Sequence, residues 1–84
     1  MRQKDIRNLA YIHLEKNKDE LMNEYNLERY NPTDMAKEYM KYRKNTPDDE
    51  ITKGFKKLVK QKLMPEEDFI ILDIHEFLDS YNSA

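Results

Sequence analysis

Three prolines, each followed by acidic residues, constrain the fold of this chain more than any other sequence feature. They lie in the segments Asn31-Pro32-Thr33-Asp34, Thr46-Pro47-Asp48-Asp49 and Met64-Pro65-Glu66-Glu67-Asp68. Proline suits the first position of a helix because it has no N–H to leave unsatisfied, and acidic side chains favour the first turn because they face the positive end of the helix dipole. Asn31 and Thr46 are good N-cap residues, whereas Met64 is a poor one. The sequence therefore predicts helices that begin near residues 32, 47 and 65.

Apolar residues recur at helical spacing within and before these segments. The pattern predicts a helix over 3–16 that continues or restarts over 19–26, a second over 32–44 and a third over 47–64. The predicted apolar faces are, in chain order, Ile6, Leu9, Ala10 and His13; Leu21, Met22 and Tyr25; Met35, Ala36, Tyr39, Met40 and Tyr42; and Ile51, Phe55, Leu58 and Val59 with Leu63 or Met64.

The C-terminal segment fits two secondary structures. As a helix it places Ile70, Ile74, Phe77, Leu78 and Tyr81 on one face. As a strand, residues 69–74 form a short run of bulky and branched side chains. A strand needs a partner, and no other segment predicts one. We therefore predict a single all-α domain over 1–84, a small bundle of four to five short helices, with an α+β fold containing a strand at 69–74 as the alternative.

The only glycine, Gly54, lies inside the helix predicted over 47–64. Glycine there costs up to about 1 kcal/mol relative to alanine. We expect close packing against a neighbouring helix to explain its presence.

The composition limits the compartments and the kinds of site. The chain has no cysteine, which rules out disulfides and thiolate metal ligands. Its N-terminus, MRQKDIRN, is charged and has no apolar segment behind it, so we predict no signal peptide. The longest apolar run, residues 69–72, is far shorter than the roughly 20 residues that span a membrane. We expect a cytoplasmic protein with no membrane association.

Catalytic and metal-binding patterns are weak in this sequence. A single glycine excludes a Gly-rich phosphate loop, and serine occurs only at 80 and 83. His75 and Asp79 share one face of a helix, but a metal site would need further ligands from elsewhere in the fold. His13 continues an apolar stripe, which favours a partly buried structural role. We therefore predict no enzymatic activity, no metal and no cofactor.

Charge is unevenly distributed along the chain. Residues 37–62 carry a net charge of +5 and residues 63–84 a net charge of −6. Phosphate contact needs only a basic surface, so the first segment suggests a small nucleic-acid-binding regulator. Its candidate binding residues are Lys41, Arg43, Lys44, Lys53, Lys56, Lys57 and Lys60. The alternative for these lysines is a solvated helix face, with the acidic segment packed beside it in ion pairs.

Two features suggest a different function. The acidic residues of the C-terminal segment could dock on a basic protein surface, and tyrosine and methionine are enriched in protein interfaces. The candidate protein-binding residues are Glu66, Glu67, Asp73, Glu76, Asp79, Tyr39 and Tyr42. Lysine outnumbers arginine by 11 to 4, and asparagine occurs 7 times, a composition common in proteins from AT-rich genomes, including many small phage proteins. The leading prediction is a non-enzymatic protein-binding module, an inhibitor or adaptor from a phage or mobile element that acts on a host protein. A third hypothesis is a helical homodimer without another ligand.

Overall fold

Five α-helices form the fold of residues 1–83, the part of the chain that the computed structural model describes. They are α1 (Gln3–Lys16), α2 (Lys18–Glu24), α3 (Pro32–Asn45), α4 (Glu50–Lys60) and α5 (Glu66–Ser83). The predicted all-α class is confirmed. Residues 69–74 lie inside α5, so the alternative with a strand is wrong. Among these helices none is both long and apolar enough to cross a membrane.

Helix α3 begins where the sequence predicts. Pro32 is its first residue, and the Asn31 side chain caps it. The Asn31 Oδ1 accepts from the backbone N–H of Thr33 at 3.0 Å and of Asp34 at 3.2 Å. Two otherwise unsatisfied donors of the first turn are thereby paired.

Helix α4 begins three residues later than predicted. Thr46 is not its N-cap but the C-cap of α3, and its N–H donates to the Tyr42 carbonyl at 2.9 Å. A residue before proline is driven out of the helical region, so Pro47 ends one helix instead of starting the next. Asp49 caps α4 in its place, accepting from the Thr52 N–H at 2.8 Å.

Two non-glycine residues with positive φ reverse the chain after α2 and α4. They are Asn26, with φ of 54°, and Lys62, with φ of 60°. In both turns the next residue donates back into the last helical turn, Leu27 to the Met22 carbonyl and Leu63 to the Leu58 carbonyl, each at 2.9 Å. This is the Schellman geometry of helix C-termini.

The core lies between α1, α3 and α5. Helices α1 and α3 run antiparallel, since Gln3 lies beside Met40 and Tyr11 beside Thr33. The buried apolar side chains are Ile6, Ala10, Leu14, Leu21, Leu27, Met35, Ala36, Tyr39, Phe69, Ile70, Ile74, Phe77 and Leu78. Helix α4 contributes none of them, although it packs against α5.

Gly54 does not mark a close helix contact. It is exposed, and a Cβ atom built on it would meet nothing within 4 Å. The predicted close packing at this position is wrong, because the side of α4 that carries Gly54 faces away from the core. No contact of the described residues explains why glycine occurs there.

Candidate functional site

Two of the predicted protein-binding residues belong to the interior. Tyr39 is fully buried and Asp73 is 9% exposed. The Tyr39 hydroxyl donates to Asp73 Oδ2 at 2.8 Å. Arg43 Nη1 donates to the Tyr39 oxygen at 3.1 Å and lies 3.6 Å from Asp73 Oδ2. The assignment of Tyr39 and Asp73 to a binding surface is therefore wrong. Tyr39 lies on the buried face of α3, and its hydroxyl needs a hydrogen-bond partner inside the fold.

The surroundings of this network suit a structural role. Burial raises the pKa of Asp73, although the Tyr39 hydrogen bond and the Arg43 charge act to lower that pKa. Arg43 and Asp73 line a polar cavity of about 40 Å³ together with Asp48 and Lys56. Two cations thus face two carboxylates, so the cavity offers no excess charge to a ligand.

The other predicted acidic and aromatic residues do not form one surface. Tyr42 is half-buried, and its ring lies 5.3 Å from that of Phe77. Glu66 pairs with the N-terminal ammonium at 2.9 Å. The remaining three, Glu67, Glu76 and Asp79, are exposed.

Most of the predicted nucleic-acid-binding cations are exposed, and several have a nearby carboxylate. The pairs are Lys41 with Glu38 at 3.4 Å, Arg43 with Asp73 at 3.6 Å, Lys53 with Glu50 at 3.6 Å and Lys56 with Asp48 at 2.7 Å. Lys44, Lys57 and Lys60 are also exposed. Helix α5 packs beside α4 as expected, and Lys56 shares a polar cavity with Asp73 of α5. The ion pairs of Lys53 and Lys56 are nevertheless made with Glu50 and Asp48, not with carboxylates of α5.

A feature that the sequence analysis missed lies where α4 meets α5. Ile51 is 64% exposed and Leu72 is 44% exposed. Both line a shallow groove with Phe55 and Glu76. We call Ile51, Phe55 and Leu72 the α4–α5 apolar face. The apolar stripe of α4 was visible in the sequence, but its exposure was not, because a stripe does not reveal how far a neighbouring helix covers it.

A second missed feature is a chain of polar rings between α1, α2 and α5. His13 Nε2 lies 3.2 Å from His75 Nε2, and Tyr25 Oη lies 2.8 Å from His75 Nδ1. Asn17 Nδ2 lies 3.3 Å from His13 Nδ1. Burial, and secondarily the charge of His75, lowers the pKa of His13. Within residues 1–83 no three His, Cys, Asp or Glu side chains are grouped to hold a metal ion.

The histidine pair predicts acid sensitivity. The pKa of His13 is lower in the folded than in the unfolded chain, so acid protonates the unfolded chain first. The contribution of His13 to the free energy of unfolding is therefore complete above about pH 6.5 and is lost as the pH falls toward the folded pKa. His13→Gln should therefore flatten the fall in urea midpoint between about pH 7.5 and pH 5.5. An exposed control, Lys16→Gln, should keep the wild-type slope. Equal slopes in wild type and His13→Gln would contradict this expectation.

Comparisons of the chain with protein-family models, with curated proteins and with solved structures find no match. Function is therefore inferred from the geometry of the described residues.

Proposed function

We propose that the chain is a non-enzymatic protein-binding module, and that its partner docks on the α4–α5 apolar face. The observation that supports this is a helix whose apolar stripe is incompletely covered by its own fold. Phe55 and Val59 are half-buried against the core, whereas Ile51 is 64% exposed. Full burial of an isoleucine or leucine side chain is worth about 1.5–3 kcal/mol. Covering Ile51 and Leu72 with a partner would thus supply a favourable free energy that the isolated fold leaves unused.

Charges around the α4–α5 apolar face indicate the chemistry of the partner. Helix α4 carries exposed lysines, and on α5 Leu72 lies one helical turn from the exposed Asp68 and Glu76. A fitting partner presents apolar side chains at its centre and charges of both signs at its rim. A second copy of this chain also meets that description, since a two-fold axis would place lysines of one copy near carboxylates of the other.

The finer role remains a prediction from composition. An inhibitor or adaptor from a phage or mobile element, acting on a host protein in the cytoplasm, fits the small size and the excess of lysine over arginine. Such a role needs only a binding surface and no catalytic residues.

The proposal predicts selective loss of a complex. Ile51→Lys with Leu72→Lys should reduce partner capture from a lysate of the source cells at least tenfold, because each change puts a charge in the centre of the interface. The control is Ile12→Lys, an exposed isoleucine on α1 that is 58% exposed and lies outside the face. Capture should be read by mass spectrometry after nuclease treatment, with helix content checked by circular dichroism.

Three results would decide the partner. A protein retained by wild type and Ile12→Lys but lost by the double variant would support a heterologous partner. Concentration-dependent doubling of mass in light scattering, abolished by the double variant, would identify a second copy. Retention of every captured protein by the double variant, with no dimer, would refute the proposal.

A further inference from the structure

A long groove runs along the outer side of the α1–α3 pair. Three open surface depressions of about 310, 390 and 510 Å³ lie in a row there. The first two share Arg7 and Lys37, and the last two share Gln3 and Met40. They therefore form one continuous groove. Each helix has 14 residues, which corresponds to a length of about 20 Å.

The groove is lined by cations of both helices. They are Lys4, Arg7, Lys37, Lys41, Arg43 and Lys44. Among the described residues, those that line the groove include no acidic one. The whole chain has a net charge of −2, so this concentration of positive charge is local.

Two of these six cations are partly neutralised from outside the groove. Arg43 lies near Asp73 at 3.6 Å, and Lys41 lies near Glu38 at 3.4 Å. Both members of the Lys41 pair are exposed, and an exposed pair of this kind contributes at most about 1 kcal/mol. A polyanion can therefore compete for Lys41, whereas Arg43 belongs to the buried network.

We propose that this groove binds single-stranded nucleic acid through its phosphate backbone. Lys37, Lys41 and Lys44 recur at spacings of four and three residues along one face of α3, with basic residues of α1 opposite them. A repeating row of cations matches the repeating phosphates of a strand. The concave protein groove can hold a single strand, whereas a protein reads a DNA duplex by inserting a protruding helix or β-ribbon into the DNA groove.

One end of the groove offers groups for a base. Tyr11, 37% exposed, lines it beside Asn8 and Thr33, and its hydroxyl is hydrogen-bonded to Glu15. An exposed aromatic ring next to a basic groove is the arrangement on which bases of single strands stack. An acidic peptide would use the same cations without needing Tyr11, so the ring favours nucleic acid.

The inferred site differs from the one predicted over residues 37–62. It keeps Lys41, Arg43 and Lys44 of α3, adds residues of α1, and omits the α4 lysines, which do not line the groove. It shares no lining residue with the α4–α5 apolar face, so variants can test the two surfaces separately.

Fluorescence anisotropy with a labelled single strand of about 16 nucleotides tests the inference at about 50 mM salt. The double reversal Arg7→Glu with Lys37→Glu should weaken binding at least tenfold. It should also make the negative slope of log affinity against log salt shallower by about 1.4, the value for two lost phosphate contacts. The matched control, Lys57→Glu with Lys60→Glu, changes the net charge equally on α4 and should weaken binding less than threefold. Tyr11→Ala should weaken binding of the strand, and polyglutamate at equal charge concentration should not displace the strand from wild type.

Several results would overturn the proposed nucleic-acid site. Equal loss in both double variants would indicate a general charge effect and overturn the site. Displacement of the strand by polyglutamate at equal charge concentration, or equal affinity for a duplex, would overturn the single-strand assignment. Absence of binding by folded wild-type protein at about 50 mM salt would overturn the inference entirely. Unchanged oligonucleotide affinity in the Ile51→Lys and Leu72→Lys variant would keep it separate from the protein-binding proposal.

Discussion

Replacing Arg43 with methionine is expected to lower the free energy of unfolding by about 2–3 kcal/mol at about pH 7. The guanidinium contacts both the Tyr39 oxygen at 3.1 Å and Asp73 Oδ2 at 3.6 Å. Methionine keeps much of the side-chain volume but leaves the Asp73 carboxyl group, which is 9% exposed, with only the Tyr39 hydroxyl from this network. Urea unfolding followed by circular dichroism measures the loss.

The pH dependence of this loss identifies its cause. Burial raises the pKa of Asp73 and Arg43 acts to lower it, so removing Arg43 should raise that pKa further. Once the carboxyl group is protonated, it no longer needs a cation. The difference between wild type and Arg43→Met should therefore be complete above the pKa of Asp73 in the variant and should shrink as the pH falls through it.

The adjacent lysine provides a control for that experiment. Lys44→Met removes one positive charge from the same helix at an exposed position, and its effect should stay within about 0.5 kcal/mol. If both variants lose the same stability at about pH 7, or if the loss in Arg43→Met does not change with pH, the charge network is not what holds Asp73.

The start of a helix was predictable where a local capping signal alone defines it. Asn31 and Pro32 define the start of α3 by capping and by proline geometry, and neither depends on the rest of the fold. The choice between helix and strand at 69–74 followed from the absence of a strand partner. The start of α4 was predicted wrongly at Pro47, because a proline can either end the preceding helix or begin the next one. The local sequence does not show which of the two applies.

The candidate sites were harder to predict, because exposure depends on packing between distant segments. Tyr39 and Tyr42 look alike in sequence, yet only Tyr39 has a buried acceptor, and that acceptor lies 34 residues away. The contact between His13 and His75 spans 62 residues. The basic groove likewise needs α1 and α3 side by side, so a scan for charged segments found the α3 lysines and missed Lys4 and Arg7.

Two isoleucines make the distinction between fold and function measurable. Ile74 is fully buried in the core, whereas Ile51 is 64% exposed on the α4–α5 apolar face. Ile74→Ala should lower the free energy of unfolding by about 2–5 kcal/mol, because it removes buried methyl and methylene groups and leaves a cavity. A domain of this size has only about 4–12 kcal/mol in total, so the variant should lose a large share of the stability of the fold.

Ile51→Ala, the same chemical change, should cost no more than about 0.5 kcal/mol, because most of the side chain is already in contact with water. The same variant should still weaken partner capture, since it removes apolar area from the centre of the proposed interface. Urea midpoints of the two variants, measured beside wild type, separate these effects. A loss for Ile51→Ala close to that of Ile74→Ala would mean that Ile51 stabilises the fold itself. The α4–α5 apolar face would then be part of the core and would not be a binding surface for a partner.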